Sequence, residues 1–139
     1  MLTVNYILIL VKPDNLMVAK DVKHIKLADF GSALYINQCG ITDYLVSRYY
    51  RAPEIILGNQ YSYPVDTWSA VVSLYEIYTG KVLFPGKTNN DMLRLMMRVK
   101  GKFANRLLRK GQFVGKHFNE QGMFLIQKFD PVTKQVTLI

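Results

Sequence analysis

Residues 12–54 read KPDNLMVAKDVKHIKLADFGSALYINQCGITDYLVSRYYRAPE, and this stretch decides the fold. It holds three short motifs: KPDN at residues 12–15, DFG at residues 29–31 and APE at residues 52–54. The first two motifs flank two apolar runs separated by a polar stretch, a pattern that predicts a β-hairpin. No period is sustained over residues 29–58, where we expect a long loop with one short helical turn. A loop of this length inside a compact domain is usually functional.

Two helices are predicted after this loop. The first covers residues 64–79, with Pro64 in its first turn and Gly80 just past its end, which is typical helix punctuation. Apolar residues cover every side of its helical wheel, so it should be buried on all sides as the central strut of the domain. The second covers residues 92–99 and follows a capping-box-like start at Thr88.

The end of the chain predicts a second hairpin. Its strands cover residues 123–129 and 135–139, around a turn at Asp130 and Pro131. Helices and small hairpins together make the expected fold class α+β.

The composition excludes several classes of protein. The 139 residues are 50% hydrophobic and 12% aromatic, which is too apolar for a disordered tail. The single cysteine, Cys39, excludes an intramolecular disulfide framework and any multi-cysteine metal site. The longest strongly apolar run, residues 6–11, is far shorter than the roughly 20 residues of a membrane-spanning helix. We therefore expect one soluble domain, or part of one, with no membrane partner.

The net charge of +8 is concentrated in one segment. Residues 81–116 carry ten basic side chains and one acidic side chain, whereas the rest of the chain is nearly neutral. A solvated basic helix face explains this distribution, and so does a contact with a phosphopeptide or a nucleic acid. The segment has no aromatic stacking platform, so a nucleic-acid partner is disfavoured.

The three motifs, in this order and followed by a helix with an Asp-x-Trp start, resemble the catalytic domain of protein kinases. The resemblance covers residues 12–139 as a partial kinase domain and leaves residues 1–11 as a divergent N-terminal segment. Residues 47–51 (SRYYR) are similar to the CMGC group of serine/threonine kinases, and residues 83–90 (LFPGKTNN) to its splicing-associated pre-mRNA-processing kinases. The resemblance implies a mainly helical C-terminal lobe fragment, with a catalytic-loop hairpin and a late hairpin insert.

This resemblance implies roles for three residues in phosphoryl transfer from ATP. Lys12 matches the lysine that steadies the transferred phosphate, and Asn15 and Asp29 match the carboxamide and the carboxylate that hold Mg²⁺. ATP and Mg²⁺ are therefore the implied cofactors. Taken singly, each residue also has a plainer interpretation: Lys12 as a surface charge, Asn15 as a turn residue and Asp29 as a strand-end cap.

Other matched positions are structural or regulatory. Glu54 matches an acid that pairs with a buried arginine of a later helix, and Asp66 matches a helix-start acid that binds the catalytic-loop backbone. Tyr44 matches an activation-loop phosphotyrosine, with Arg48 and Arg51 near enough in sequence to pair with its phosphate. A buried or half-exposed loop tyrosine is the alternative for Tyr44.

The sequence departs from the kinase pattern at the catalytic base. The His-x-Asp positions ahead of the lysine hold Leu8, Ile9 and Leu10, and a leucine at position 10 cannot accept the substrate hydroxyl proton. The N-terminal lobe is also absent, with no Gly-rich loop and no strand lysine for the phosphates. We therefore expect poor binding of ATP and Mg²⁺ by this fragment, and no activity of the isolated chain.

Two further departures concern packing. Val71 stands where the helix of the family carries glycine, and a branched side chain at a close helix contact should overpack by about 1–3 kcal/mol. The helices that surround the 64–79 helix in the family are absent from this chain. Part of its apolar surface should therefore be exposed, or covered by residues 1–11.

Three functions remain open from the sequence. The first, implied by the resemblance, is ATP-dependent phosphorylation of serine and threonine on protein substrates, with association with splicing factors and a nuclear or cytoplasmic location. The second is a non-catalytic interaction module that docks partners through the basic segment at Arg106, Arg109 and Lys110. The third is a partial gene product without a function of its own, because motif quality falls abruptly near Leu10.

Overall fold

A computed structural model of the chain describes residues 6–7, 11–45, 47–129 and 136–138. The strands of this described part are β1 (Tyr6–Ile7), β2 (Leu16–Val18), β3 (Ile25–Leu27), β4 (Leu34–Tyr35), β5 (Gln127–Phe129) and β6 (Val136–Leu138). Its α-helices are α1 (Pro53–Ile56), α2 (Pro64–Thr79), α3 (Asn89–Lys100) and α4 (Asn105–Lys110). Short 3-10 turns lie at Pro13–Asn15, Ile36–Gln38, Arg48–Tyr50 and Val114–Lys116.

The strands form antiparallel pairs. In the first hairpin β2 pairs with β3, and Leu16 lies opposite Leu27, which confirms the hairpin predicted after the KPDN motif. The late hairpin pairs β5 with β6, while the turn predicted at Asp130 and Pro131 lies outside the described residues. The prediction of a strand from residue 123 onward is wrong for the first half of that strand. In this half, Phe124 makes only an isolated bridge, to Phe118. The third pair joins β1 to β4.

The predicted long loop holds more structure than one helical turn. It contains β4, two of the 3-10 turns and α1 between residues 29 and 58. Leu34 and Ile36 pack against a buried cluster of Ala52, Ile55, Tyr61 and Val65. The expectation of a single turn was wrong because these contacts join residues that are far apart in sequence, and no local period shows them.

Helix α2 has the bounds that the sequence predicts. Pro64 begins it, and Gly80 ends it with a left-handed φ of 69°, a conformation that favours glycine. One face, with Val65, Ser69, Val72 and Ser73, is buried. The other face is exposed and largely apolar, and carries Val71, Leu74, Tyr75, Ile77 and Tyr78. The prediction that α2 is buried on all sides is therefore wrong, whereas the exposed apolar surface expected on this helix is present.

The overpacking expected at Val71 is also wrong. Its side chain is 57% exposed, so within the described residues no close helix contact crowds it. The expected cover of this helix by residues 1–11 is visible only at Val11, whose carbonyl oxygen accepts a 3.0 Å hydrogen bond from the Ser73 hydroxyl. The side chains of residues 1–10 lie outside the described part.

The main core joins buried residues of α1, α2 and α3. Phe84, Met92, Leu93 and Met96 are fully buried there, and the Trp68 ring stacks on Phe84 with centroids 5.8 Å apart. Thr88 caps α3 because its hydroxyl oxygen accepts the Asp91 amide at 3.0 Å, as the capping pattern predicts. Within the described ranges, the helices are too short or too polar to span a bilayer.

Candidate active site

The first hairpin brings Asn15 and Asp29 to the same end of the molecule. Asn15 directly precedes β2, and Asp29 follows β3 by two residues. The Ala28 amide donates to the Asn15 carbonyl oxygen at 2.8 Å, which extends the strand pairing to this end. The Asn15 amide in turn donates to the Lys12 carbonyl oxygen at 3.0 Å. Local backbone pairing thus gathers the residues of the KPDN and DFG motifs.

Asp29 adopts a left-handed backbone conformation with φ 61°. This conformation is uncommon outside glycine, and aspartate tolerates it because its short side chain can bond to the nearby backbone. Here the Gly31 amide donates to Asp29 Oδ1 at 3.3 Å. The carboxylate is solvent-exposed at the end of the hairpin. Backbone outliers of this kind cluster at functional sites, where the surrounding structure holds them.

Asn15 and Lys12 have different surroundings. Asn15 is buried, with 6% of its surface exposed, whereas the Lys12 side chain is 22% exposed. Lys12 Nζ lies 3.6 Å from a carboxylate oxygen of Asp14, whose side chain is 78% exposed. An ion pair to so exposed a partner contributes little to stability, so Lys12 is available to a stronger anion.

The donor chemistry of Asn15 and Asp29 fits a hard cation. Mg²⁺ takes oxygen ligands, and sites in phosphate-handling proteins supply one or two carboxylates while the substrate phosphates provide more. Within the described ranges, no group of three or more His, Cys, Asp or Glu residues could hold a metal unaided. A metal here would therefore need phosphate oxygens as well. The base position at Leu10 lies outside the described residues.

The loop before the APE motif is fixed by Arg51. This residue is buried, with 5% of its surface exposed. Its Nε donates to the Leu45 carbonyl oxygen at 2.8 Å, and its Nη1 donates to Asn89 Oδ1 at 2.6 Å. The Asn89 side-chain amide also donates to the Asp43 carbonyl oxygen, at 3.3 Å. The loop around Tyr44 is thereby held against the first residue of α3.

Tyr44 and the two arginines expected near it line one cavity. Tyr44 is 81% exposed, so the alternative of a buried or half-exposed loop tyrosine is wrong, and its role as a phosphosite stays a prediction. Arg48 is exposed and its Nη1 donates to the Lys87 carbonyl oxygen at 2.7 Å, whereas Arg51 is committed to the loop and to α3.

Tyr50 fastens the same loop to α2. Its hydroxyl donates to a Glu76 carboxylate oxygen at 2.7 Å, and its carbonyl oxygen accepts the Ser69 hydroxyl at 2.8 Å. Burial, reinforced by Glu76, raises the pKa of Tyr50, which therefore stays protonated and donates at physiological pH. No motif of the sequence predicts this anchor. Its one signal was an acidic residue inside an otherwise apolar helix.

Glu54 and Asp66 are the two acidic residues with predicted structural roles. No cation among the described residues pairs with Glu54. Glu54 is half-buried, and burial raises the pKa of its carboxyl. It borders an apolar cavity of about 720 Å³ that Trp68, Val71 and Phe84 also line. Asp66 is half-buried in the first turn of α2, where the helix dipole favours a negative charge. The roles predicted for both residues remain predictions.

His117 is a buried polar residue that the sequence analysis did not single out. It is 4% exposed, and the Asn90 side-chain amide donates to its Nδ1 at 3.2 Å. A second Asn90 hydrogen goes to the Leu125 carbonyl oxygen at 2.9 Å. Burial, with a smaller contribution from Lys116, lowers the pKa of His117 to about 4. His117 is therefore neutral at physiological pH.

Acidification is expected to destabilise the fold through His117. Its folded pKa of about 4 lies below the ordinary value of 6.5, so the unfolded chain binds more protons between these values and stability falls as pH drops through this window. From pH 7 to pH 4.5 the His117 contribution should fall by about 2 kcal/mol. Urea unfolding at both pH values measures this change in the free energy of unfolding. The control is His117→Gln, whose side chain accepts the same hydrogen bond without titrating. Equal losses in the two proteins would contradict this assignment.

Comparison with known proteins identifies relatives of most of the chain. The sequence profile of the family described as "Protein kinase domain" matches residues 9–128. "Serine/threonine-protein kinase prpf4B" of Dictyostelium discoideum is 53% identical over 126 residues, covering 91% of this chain and 16% of the relative. "Serine/threonine-protein kinase prp4" of Schizosaccharomyces pombe is 53% identical over 127 residues, covering 91% of this chain and 27% of the relative.

A more distant relative carries a different specificity in its name. "Dual specificity tyrosine-phosphorylation-regulated kinase 3" of Homo sapiens is 39% identical over 125 residues, covering 89% of this chain and 21% of the relative. The chain therefore spans between 16% and 27% of the length of these three relatives.

Proposed function

Because the chain belongs to the protein kinase domain family, and within it to the serine/threonine kinases of the CMGC group, we propose that it forms part of a catalytic domain that transfers phosphate from ATP to proteins. We assign it to the C-terminal lobe of that domain. The observation that carries the proposal is the shared position of Asn15 and Asp29 at one end of the first hairpin. Family membership supports the reaction type, and the shared position of Asn15 and Asp29 supports their proposed role in it.

The proposed roles follow from charge and position. Asp29, exposed and held by the Gly31 amide, would hold a metal ion together with Asn15. When bound, Mg²⁺ would neutralise negative charge on the nucleotide phosphates. Lys12, tied to Asn15 through the backbone, would steady the phosphate that is transferred. Positioning and charge neutralisation account for most of the catalysis in phosphoryl transfer, and these residues serve both.

The substrate side of the proposed site is the loop that precedes the APE motif. Arg51 fixes this loop to α3, and Tyr50 fixes it to α2. A protein substrate needs a surface that does not rearrange on binding, because a disordered loop would lose entropy on ordering. We propose protein substrates in the nucleus and association with splicing factors. The support is the likeness of residues 83–90 to splicing-associated kinases.

A chimera tests the proposed function. Residues 12–128 of this chain would replace the matching segment of the S. pombe kinase, which then supplies the catalytic base and the ATP-binding lobe. The chimera is expected to phosphorylate a protein substrate within tenfold of the parent rate, because the segment provides both metal-holding residues. Asp29→Asn in the chimera should lower kcat by roughly 10³-fold, the size of losing one preorganised charge contact.

The matched control is Asp21→Asn. Asp21 is a carboxylate on the same hairpin, at the turn end, where it pairs with His24. This variant of the chimera should keep the unsubstituted rate. A folded chimera without activity, or equal losses from the two substitutions, would count against the proposed roles.

An interaction module remains the second candidate, and one observation favours it. Six cationic side chains from the last turn of α3 to the end of α4 are exposed and, among the described residues, form no ion pair with an acidic residue: Arg98, Lys100, Lys102, Arg106, Arg109 and Lys110. Such a surface attracts an acidic partner through long-range charge. A chimera that folds and docks a partner but transfers no phosphate would favour this candidate.

A further inference from the structure

A cleft of about 700 Å³ lies between the end of α4 and the segment that joins α1 to α2. Its lining combines one cation, three polar side chains and two isoleucines: Lys110, Asn59, Gln60, Ser62, Ile36 and Ile41. We propose that an extended acidic segment of a protein partner docks along α4, and that a glutamate side chain of this segment enters the cleft beside Lys110. The inference rests on the second candidate function, the interaction module, and gives that module a partner.

The charge around the cleft selects an acidic partner. Lys110 is the single charged side chain among the described residues that line it. Lys110 also ends the run of six exposed cations that begins at Arg98. Glu120, a carboxylate near α4 in sequence, borders a different cavity of about 360 Å³, which Arg109 also lines. A segment with several carboxylates is therefore attracted to α4 and is not repelled at the cleft.

The lining also favours one acidic side chain over the other. Ile36 and Ile41 offer apolar surface to methylene groups, while the Lys110 ammonium offers donors to a carboxylate. Glutamate has two methylene groups before its carboxylate and aspartate has one, so glutamate uses both parts of the lining. The cleft volume falls within the roughly 300–1,000 Å³ of typical ligand pockets, which leaves room for the backbone of the segment as well.

The walls of the cleft are fastened together by the fold. The Phe113 amide donates to the Leu57 carbonyl oxygen at 3.0 Å, and the Asn59 side-chain amide donates to the Leu107 carbonyl oxygen at 3.1 Å. At Gly111 the two chains approach so closely that a Cβ atom would lie 2.3 Å from the Leu57 carbonyl oxygen. A preorganised cleft loses less entropy on binding than a flexible one.

A nucleic acid is the competing kind of partner, since six cations also attract phosphates. Proteins that bind single strands add aromatic side chains on which the bases stack. Phe103, the aromatic residue between Arg98 and Lys110, is half-buried and packs edge-on against Phe118, with ring centroids 6.4 Å apart. Tyr61, which borders the cleft, is buried. The surface therefore supplies charge without a stacking platform, which favours a protein segment.

Fluorescence anisotropy of a labelled hexaglutamate peptide, titrated with the whole chain at low salt, tests the surface. The surface variant replaces three cations of α4: R106Q, R109Q and K110Q. It should weaken peptide binding at least roughly tenfold. The matched control removes three exposed lysines of the first hairpin and so changes the net charge equally: K20Q, K23Q and K26Q. The control should weaken binding less than about twofold, because these lysines lie outside the proposed surface.

A second pair of variants tests the cleft. Gln60→Trp fills the cleft without a change of charge and should weaken hexaglutamate binding roughly fivefold. Gln121→Trp places the same side chain in the 360 Å³ cavity beside α4 and should leave binding unchanged. Ser62→Phe fills the cleft from another position and replaces Gln60→Trp if that variant does not fold. Hexa-aspartate should bind the unsubstituted chain roughly threefold more weakly than hexaglutamate does.

The peptide assay is run without ATP, so loss of peptide binding and loss of phosphoryl transfer in the chimera are observed separately. The inference is overturned if the surface variant and its hairpin control bind alike, or if Gln60→Trp and Gln121→Trp bind alike. Tighter binding of hexauridylate RNA than of hexaglutamate would assign the surface to a nucleic acid and would also overturn it.

Discussion

The 139-residue chain, incubated alone with Mg²⁺ and ATP, is expected to transfer no measurable phosphate to a serine peptide. The sequence places leucine at position 10, where the base that orients the acceptor hydroxyl is expected, and it holds no Gly-rich loop to cover the nucleotide. Within the described residues, no group of three or more His, Cys, Asp or Glu side chains could hold a metal ion without the nucleotide phosphates. Loss of substrate positioning forfeits about 7–11 kcal/mol of barrier lowering, or roughly 10⁵- to 10⁸-fold in rate.

Transfer of ³²P from labelled ATP measures this directly. The S. pombe kinase, assayed at the same concentration, is the positive control, and Asp29→Asn in the present chain sets the background. The unsubstituted chain should give a signal equal to that background. Transfer above the background that Asp29→Asn abolishes would show that the chain supplies its own base, and the expectation of inactivity would be wrong.

The helices show how far the sequence alone predicts this fold. The bounds of α2 follow from Pro64 and Gly80, because both residues act on the backbone of their own turn. The burial of α2 does not follow in the same way. An apolar residue on a helix shows that a partner surface is needed, but it does not show whether the chain supplies one. Tyr78 is 92% exposed for that reason.

The same distinction runs through the candidate site. Asn15 and Asp29 flank a predictable hairpin, so local pattern was enough to place them together. The anchoring bonds of the loop join residues far apart in sequence, such as Arg51 to Asn89 and Asp43 to Lys116. No periodicity or turn signal encodes a pair of this kind, which only tertiary packing creates. Spacing in the sequence brings Arg48 and Arg51 near Tyr44, but it does not show that Lys116 lines the same cavity.

Phe84→Ala is expected to cost about 3–5 kcal/mol of unfolding free energy, the usual range for truncating a buried phenylalanine. Phe84 is 1% exposed, it stacks on Trp68 with an interplanar angle of 12°, and it belongs to the core cluster that joins α2 to α3. Removing its ring leaves a cavity between the two helices that the surrounding side chains fill only in part. A domain of this size is stabilised by only about 5–15 kcal/mol, so the loss is a large fraction of the total.

Urea unfolding measures the loss, followed by circular dichroism and by the fluorescence of Trp68, the single tryptophan of the chain. Tyr78→Ala is the matched control, because it removes an aromatic ring that is 92% exposed and should change stability by less than about 0.5 kcal/mol. Phe84→Leu keeps the site apolar and should fall between the two, which keeps the comparison usable if Phe84→Ala does not fold. Equal stabilities of the Phe84→Ala and Tyr78→Ala proteins would mean that Phe84 does not lie in the core that joins α2 to α3. The burial of α3, and with it the position of Asn89 beside Arg51, would then need another cause.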